Sequence, residues 1–197
     1  MFRYYFNSNI EIVITNDNDM TIIQNTNPNT QKAFNNKDEA IQWATEYVTS
    51  LGETLLSNLD VCKSKKKEEI SQWCRDAINI GFESTAYQGI NKLYGATIED
   101  QMNIQGNIIA AGSKLNGTPG CENDKFYYHA KDEDFVEWTE TECLQLGRDL
   151  KQFVQYNLFK SKTLQNYVDT LITEEEVELI VSWDTEIPNK GEQTDEI

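Results

Sequence analysis

The sequence predicts an α+β protein: a small N-terminal antiparallel β-meander, two long amphipathic helices, then a mixed domain with a helix, a β-hairpin and C-terminal helices. Two observations support this prediction. Stretches rich in β-branched and aromatic residues, bounded by turn-forming residues, occur near the start and again near residue 130. Elsewhere, apolar residues recur at steps of three and four, the spacing of one face of an α-helix.

The front of the chain contains three strand-like stretches, at residues 2–6, 10–14 and 20–23. Asparagine and aspartate clusters separate them, and these residues favour turns between antiparallel strands. Pro28 then breaks the pattern because it lacks an amide donor. We therefore assign residues 1–30 to an N-terminal β-meander.

An amphipathic helix is expected from about residue 37, with Asn36 as its N-cap. Its apolar stripe continues at helical spacing to Leu59. We assign residues 31–63 to this linking helix. A second helix is predicted at 64–79, and the lysines at its start are expected to be solvated. The apolar stripe of this helix could pack equally well within the chain or against another copy in an oligomer.

The stretch after the second helix is rich in glycine and aromatic residues. Gly81 is predicted to end the helix in the left-handed conformation. We interpret residues 82–95 as an ordered loop or short hairpin, held by Phe82, Tyr87 and Tyr94.

Three capping boxes predict the starts of three further helices. Thr97 with Asp100 opens a helix to about residue 111, with Ile98, Met102 and Ile109 on one side and Gln105 beside them. Thr139 with Glu142 opens a helix that runs to about Asn157. Thr173 with Glu176 opens a final short helix.

Between these helices, residues 112–123 are predicted to form an exposed loop, 125–138 a hairpin and 162–171 a shorter helix. We assign residues 64–183 to one α+β domain. Residues 184–197 are acidic and are expected to form a flexible tail.

The charge of the chain limits its partners. Asp and Glu outnumber Lys and Arg by 33 to 17, for a formal net charge of −16. Such a chain is expected to repel nucleic acid and anionic membrane and to suit a basic or neutral protein partner. No apolar run reaches the roughly 20 residues of a membrane-spanning helix, and no signal peptide is recognised, so synthesis in a cytosol is expected.

No set of residues in the sequence indicates catalysis or a metal site. The four cysteines lack C-x-x-C spacing, and His129 is the single histidine, in an aromatic strand where a packed side chain is favoured over a general base. Glu99 and Asp100 are interpreted as helix-start residues. We expect no cofactor, no metal and no enzymatic activity.

The polar residues at the start of the third helix have two interpretations. Either they bind the backbone of the preceding glycine-rich loop as a structural latch, which we favour, or they form a polar surface for a partner. The candidate residues are Phe82, Tyr87, Tyr94, Asp100, Gln101 and Asn103.

These residues also carry a resemblance. The pattern Arg75-x5-Gly81-Phe82, the stretch 89–94 and Asp100-Gln101-x-Asn103-x-x-Gly106 resemble a domain-of-unknown-function family of tailed-bacteriophage tail, tail-fibre and fibre-assembly proteins. The resemblance extends over about residues 65–183 and includes Leu146-Gly147.

The resemblance implies a virion structural protein: a tail, baseplate or tail-fibre-attachment subunit that is made in the host cytoplasm and located in the virion tail. Its implied partners are other phage tail or tail-fibre proteins and further copies of itself. The alternative is a cytosolic tail-fibre assembly chaperone, and the remote alternative is a protein that binds or depolymerises host glycans.

Overall fold

The structure, a computed structural model, describes residues 2–6, 11–16 and 21–188. It confirms the α+β class. The strands are β1 (Phe2–Phe6), β2 (Ile12–Asn16), β3 (Thr21–Gln24), β4 (Thr26–Asn27), β5 (Lys32–Ala33), β6 (Leu55–Ser57), β7 (Phe82–Ser84), β8 (Lys92–Tyr94), β9 (Phe126–Tyr128) and β10 (Val136–Trp138). The helices are α1 (Lys37–Ser50), α2 (Asn58–Ile80), α3 (Ile98–Leu115), α4 (Glu140–Thr170) and α5 (Glu174–Glu178).

The chain forms two compact units. One comprises Met1–Glu68 and Val168–Val181, and the other comprises Glu69–Tyr167 and Ser182–Ile197. We call them the discontinuous unit and the central unit. The domain boundaries that the sequence suggests, at residues 30, 63 and 183, remain predictions.

In the discontinuous unit, the predicted meander is part of a four-stranded sheet of order β3-β2-β1-β6. Strand β2 pairs antiparallel with both β1 and β3, with Tyr4 opposite Ile14. Ile12 and Ile14 are fully buried and pack with Phe2 and Trp43 in the core of this unit. Predicted strand residues 10 and 20 lie outside the described residues.

Helix α1 is shorter than predicted. It begins after Asn36, whose side chain accepts a hydrogen bond from the Glu39 amide at 2.9 Å, as expected for the N-cap. It ends at Ser50, and Gly52 adopts a left-handed conformation with φ +76°. The predicted continuation to Leu59 is wrong, because residues 55–57 form β6 and pair parallel with β1.

Helix α2 begins at Asn58, six residues before its predicted start, so its lysines lie within the helix. They are not simply solvated: Lys63 Nζ donates to the Asp169 carbonyl at 3.1 Å, and Lys67 forms an ion pair with the Asp169 carboxylate.

The central unit contains the two predicted hairpins, β7–β8 and β9–β10. Gly81 ends α2 with φ +101°, and a Cβ there would overlap the Tyr94 carbonyl oxygen. Only glycine satisfies both the conformation and the space at this position. Trp138, in β10, donates from its indole to the Tyr128 carbonyl at 3.2 Å.

Helix α4 is one helix of 31 residues, where two were predicted. Asn157, the predicted end of the first of these helices, is buried, as is Ser161 one turn later. Asn157 Nδ2 donates to the Phe153 carbonyl at 3.0 Å, one turn earlier, so its polarity is satisfied within the helix. Asn157 therefore continues the helix.

The three predicted capping boxes are confirmed. At Thr139, for example, Glu142 Oε2 accepts from the Thr139 amide at 2.8 Å, and the Glu142 amide donates back to the threonine hydroxyl. The box at Thr97 opens α3 and that at Thr173 opens α5. Helix α3 runs to Leu115, so the predicted loop begins four residues later than expected. Of the acidic tail, residues 189–197 lie outside the described residues.

Candidate interaction surface

The core of the central unit is an aromatic cluster that supports the start of α3. Tyr94 is fully buried, with ring centroids 5.8 Å from Phe82, 6.5 Å from Tyr128 and 5.7 Å from Trp138. The Tyr87 ring lies tilted against that of Trp138, with centroids 5.0 Å apart. Three of the predicted site residues, Phe82, Tyr87 and Tyr94, therefore belong to one packed cluster.

Within this cluster the Tyr94 hydroxyl oxygen is buried without a hydrogen-bond partner among the described residues. Burial, with the nearby charges of Glu133 and Glu142, raises the pKa of Tyr94 to about 12. Burial also raises the pKa of Tyr128, and the charge of Asp100 and a hydrogen bond to it add to that shift.

Asp100 joins the cluster to the helix start. Its Oδ2 accepts from the Thr97 amide at 3.0 Å and from the Thr97 hydroxyl at 2.7 Å. The carboxylate lies directly over Gly95, where a Cβ would come within 2.6 Å of Asp100 Cγ. The residue thus caps α3, contacts Tyr128 and packs on the preceding loop.

Gln101 and Asn103 differ in their surroundings. Gln101 Nε2 donates to the Ala96 carbonyl at 2.9 Å, which is the type of backbone contact that a latch requires. Asn103 is exposed, and among the described residues its side chain has no hydrogen bond. The latch function of the whole set stays a prediction.

Helix α3 has apolar residues on both of its faces. Ile104 and Ala111 are buried in the core, while Ile98, Met102 and Ile109 are 78%, 67% and 62% exposed. At 100° per residue, these three lie roughly opposite the buried pair. The stripe predicted from sequence is therefore the solvent-facing side of α3, and sequence periodicity alone did not indicate this.

A groove of about 490 Å³ continues this exposed side toward α4. Gly147 of α4 forms part of it, and the Ile108 side chain fills the space where a Cβ on Gly147 would lie. The groove is lined by residues of α3 and α4, namely Gln101, Gln105, Ile108, Ile109, Gly147, Leu150, Lys151, Val154 and Gln155. We call Ile98, Met102, Gln105, Ile109 and this groove the α3 surface.

The α3 surface is nearly free of charge. Residues 101–113, most of the helix, include no Asp, Glu, Lys or Arg, although a quarter of the chain is charged. Lys151 is the charged residue among the groove lining. An exposed apolar patch without charges is typical of a protein–protein contact.

Potential catalytic groups in the central unit are used in packing. Ser84 is buried; its hydroxyl donates to Asp149 at 2.5 Å and accepts from the Ala86 amide at 3.0 Å. His129 Nδ1 lies 2.9 Å from the Ala130 carbonyl, and its ring contacts Tyr128 and Phe135. Among the described residues, no histidine side chain therefore contacts the Ser84 hydroxyl.

The buried thiols have unfavourable conditions for ionisation. Burial, together with the charges of Glu142 and Glu140, raises the pKa of Cys143 to about 11. Within residues 2–6, 11–16 and 21–188, no group of three or more His, Cys, Asp or Glu side chains is placed to hold a metal ion. Over the same residues, no helix combines the length and hydropathy of a membrane span.

A second groove, of about 480 Å³, lies in the discontinuous unit. The rings of Trp43 and Tyr47 stack there with centroids 5.7 Å apart and planes at 15°. Its lining, which mixes apolar and polar side chains, consists of Ile22, Gln24, Pro28, Asn29, Trp43, Glu46, Tyr47 and Ser50.

The fold and the α3 surface define an α+β protein with an exposed, uncharged helix face suited to protein contact. Residues 61–181, more than half of the chain, match the model of the domain-of-unknown-function family DUF4376, and the chain belongs to that family. No curated protein and no solved structure matches the chain.

Proposed function

We propose that this protein is a structural component of a bacteriophage virion, a tail, baseplate or tail-fibre-attachment subunit that acts by binding other proteins. The phage context comes from the sequence resemblance around Asp100-Gln101-x-Asn103. The mode of action comes from the α3 surface.

The observation that carries the proposal is the exposure of Ile98, Met102 and Ile109 on one side of α3. Each exposed apolar side chain would gain about 1.5–3 kcal/mol from full burial, so a partner that covers all three gains substantial affinity. The contacts of Asp100 with Thr97 and of Gln101 with Ala96 hold the start of this helix on the preceding loop, which favours a preformed surface.

The charge of the chain limits where on its surface a protein partner can bind. With a net charge of −16, the chain repels acidic partners everywhere except where its surface is uncharged. The described residues offer Ser84, Asp149 and His129 only in packing contacts, which supports assembly over catalysis.

Quantitative mass spectrometry of purified particles of the phage that encodes this chain tests the proposal. We expect the chain at a fixed ratio to the other tail proteins. Absence from particles, with co-purification of the chain and an unassembled fibre protein from lysate, would contradict a virion component and favour a cytosolic assembly chaperone.

Variants of α3 test the mode of action in the same particles. We expect Met102→Asp to reduce incorporation, since it places a charge in the exposed apolar side. Asn103→Asp is the matched control because it adds the same charge next in sequence, off that side, and it should leave incorporation unchanged. Equal incorporation of both variants would exclude the α3 surface as the contact.

The Trp43–Tyr47 groove favours a second candidate function, binding of a host glycan. Sugar rings pack on aromatic faces while amide and carboxylate groups bind their hydroxyls, and Gln24, Asn29 and Glu46 supply such groups. Calorimetric titration with fragments of host polysaccharide tests it: Tyr47→Ala should abolish the binding heat. No heat with the unmodified protein would exclude this function, and sugar release would indicate catalysis.

A further inference from the structure

We propose that the α3 surface binds the α3 surface of a second copy of this chain, so that two copies pair helix against helix about a two-fold axis. This inference rests on the proposed function, which it deepens by naming the partner. Three features of the exposed side of α3 support this pairing, and each limits the kind of partner that can bind there.

The first feature is spacing. Ile98, Met102, Gln105 and Ile109 follow one another at steps of four, three and four residues. This is the a/d spacing with which a helix packs along another helix at a shallow angle. The partner that fits the exposed side is therefore a helix of similar length, about 16 Å of contact at 1.5 Å per residue.

The second feature is charge. Two copies that each carry a net charge of −16 repel each other over most of their surfaces. The side of α3 that includes Met102, Gln105 and Ile109 lies within the uncharged run 101–113, so two copies can meet there without opposing carboxylates. A strongly basic partner would find no acidic residue to pair with on this side.

The third feature is Gln105, the one polar residue in the exposed stripe. A side-chain amide both donates and accepts hydrogen bonds, so it can pair with the same amide of another copy across a two-fold axis. Gly106 adjoins it on the exposed surface, and its surroundings are open within 4 Å, which gives a second helix room to approach.

The paired area is small, so the association is expected to be reversible. Interfaces at the lower end of the usual size range bind with dissociation constants on the order of micromolar. The groove beside the stripe, lined by Ile108, Leu150 and Val154, adds apolar area to the contact.

Sedimentation equilibrium of the full chain between about 1 and 200 µM tests the proposal across that range of affinity. We expect a reversible monomer–dimer equilibrium. Gln105→Glu should raise the dissociation constant at least about tenfold, since it opposes two charges at the interface. Asn103→Asp, an equally small change that adds one charge off the stripe, should leave the constant unchanged.

Three results would overturn the pairing: a monomer at every concentration, an oligomer other than a dimer, or a dimer that responds equally to both substitutions. Circular dichroism melts of both variants check folding, which should be unaffected because both positions are exposed.

A crosslinking experiment provides an independent measurement. In a background with Cys62 and Cys121 replaced by serine, Gln105→Cys should yield a covalent dimer with a short bismaleimide, while Asn103→Cys should yield little. Equal yields would contradict the pairing. A monomeric chain that is still present in particles would refute self-pairing alone, whereas a dimer absent from particles would refute the proposed virion function alone.

Discussion

Gly147 of α4 lies directly beneath the Ile108 side chain of α3, and a Cβ on Gly147 would come within 2.7 Å of Ile108 Cγ1 and closer still to its Cδ1. This contact sets how closely the two helices approach and therefore the width of the groove in the α3 surface.

The first prediction concerns that contact. Gly147→Ala should lower the free energy of unfolding by about 1–2 kcal/mol, because the added methyl overpacks the helix crossing by more than the roughly 1 kcal/mol that alanine gains in helix propensity. Ile108→Ala in the same chain should recover part of the loss, since it removes the clashing atoms, and urea denaturation of both single variants and the double variant measures the coupling. Additive losses would contradict a direct contact.

Gly106→Ala is the matched control on α3, because nothing lies within 4 Å of a Cβ at that position. It should stabilise the protein by up to about 1 kcal/mol through helix propensity alone.

The second prediction compares the contributions of Asp100 and Asn103 to the stability of the protein. Asp100→Ala removes the α3 capping box and the contact with Tyr128, so it should cost about 1–2 kcal/mol of stability. Asn103→Ala removes no described hydrogen bond and should change stability by less than about 0.5 kcal/mol. Thermal melts followed by circular dichroism distinguish the two, and a comparable loss for Asn103→Ala would assign it to the latch.

The third prediction uses the two neighbouring tyrosines. Tyr94→Phe removes a buried hydroxyl without a described partner and should raise the free energy of unfolding by about 1 kcal/mol at pH 7. Tyr128→Phe removes a hydroxyl that bonds Asp100 and should lower it by a similar amount. Chemical denaturation of both variants against the unmodified protein gives the comparison, and equal signs would contradict it.

Alkaline pH extends this prediction. An unfolded tyrosine titrates near about pH 10, whereas the pKa of Tyr94 is raised to about 12. Between these values the unfolded state has lost the proton and the folded state retains it, so stability falls as pH rises. Tyr94→Phe should reduce the slope of unfolding free energy against pH in this window. An unchanged slope would show that Tyr94 does not titrate differently in the two states.

The fourth prediction concerns Glu142 at acid pH. Burial acts to raise its pKa, but hydrogen bonds from the Thr139 amide and hydroxyl and the Gln88 amide outweigh burial and lower the pKa. Its contribution is therefore present above the unfolded pKa, about 4.3, and is lost as pH falls through the lower folded pKa. Glu142→Ala should destabilise the protein by about 1 kcal/mol at pH 7 and by less at acid pH.

Glu142→Gln is the control for that experiment, since glutamine also satisfies a capping box but does not titrate. The free energy of unfolding of Glu142→Gln should therefore lack the part of the pH dependence that comes from titration of Glu142. If Glu142→Ala and Glu142→Gln lose the same stability at pH 7, the effect is one of charge rather than of hydrogen bonding.

Local chemistry made part of the fold predictable. The capping residues Thr97, Thr139 and Thr173 act within three residues of themselves, so the sequence alone was sufficient to place three helix starts. The end of α1 was not predictable in this way, because residues 55–57 become a strand by pairing with β1, more than 50 residues earlier.

The candidate surface was predictable only in part. Periodicity grouped Ile98, Met102 and Ile109 correctly, but a helix with apolar residues on two faces gives no sign of which face is buried. Ile104 and Ala111 face the core because they meet the aromatic cluster of distant hairpins, and that meeting depends on tertiary packing. The packing role of Gly147 could not be predicted from the sequence either, because its close contact with Ile108 exists only in the folded chain.

The division of the chain into two units has a consequence for synthesis on the ribosome. Residues 69–167 are contiguous, so the core around Tyr94 and Trp138 can close as soon as they have emerged. The discontinuous unit must wait for Val168–Val181, although its first strand is made more than 160 residues earlier. The N-terminal sheet is therefore synthesised before the aromatic core, but its unit gains its last segment only after the residues of that core have been made.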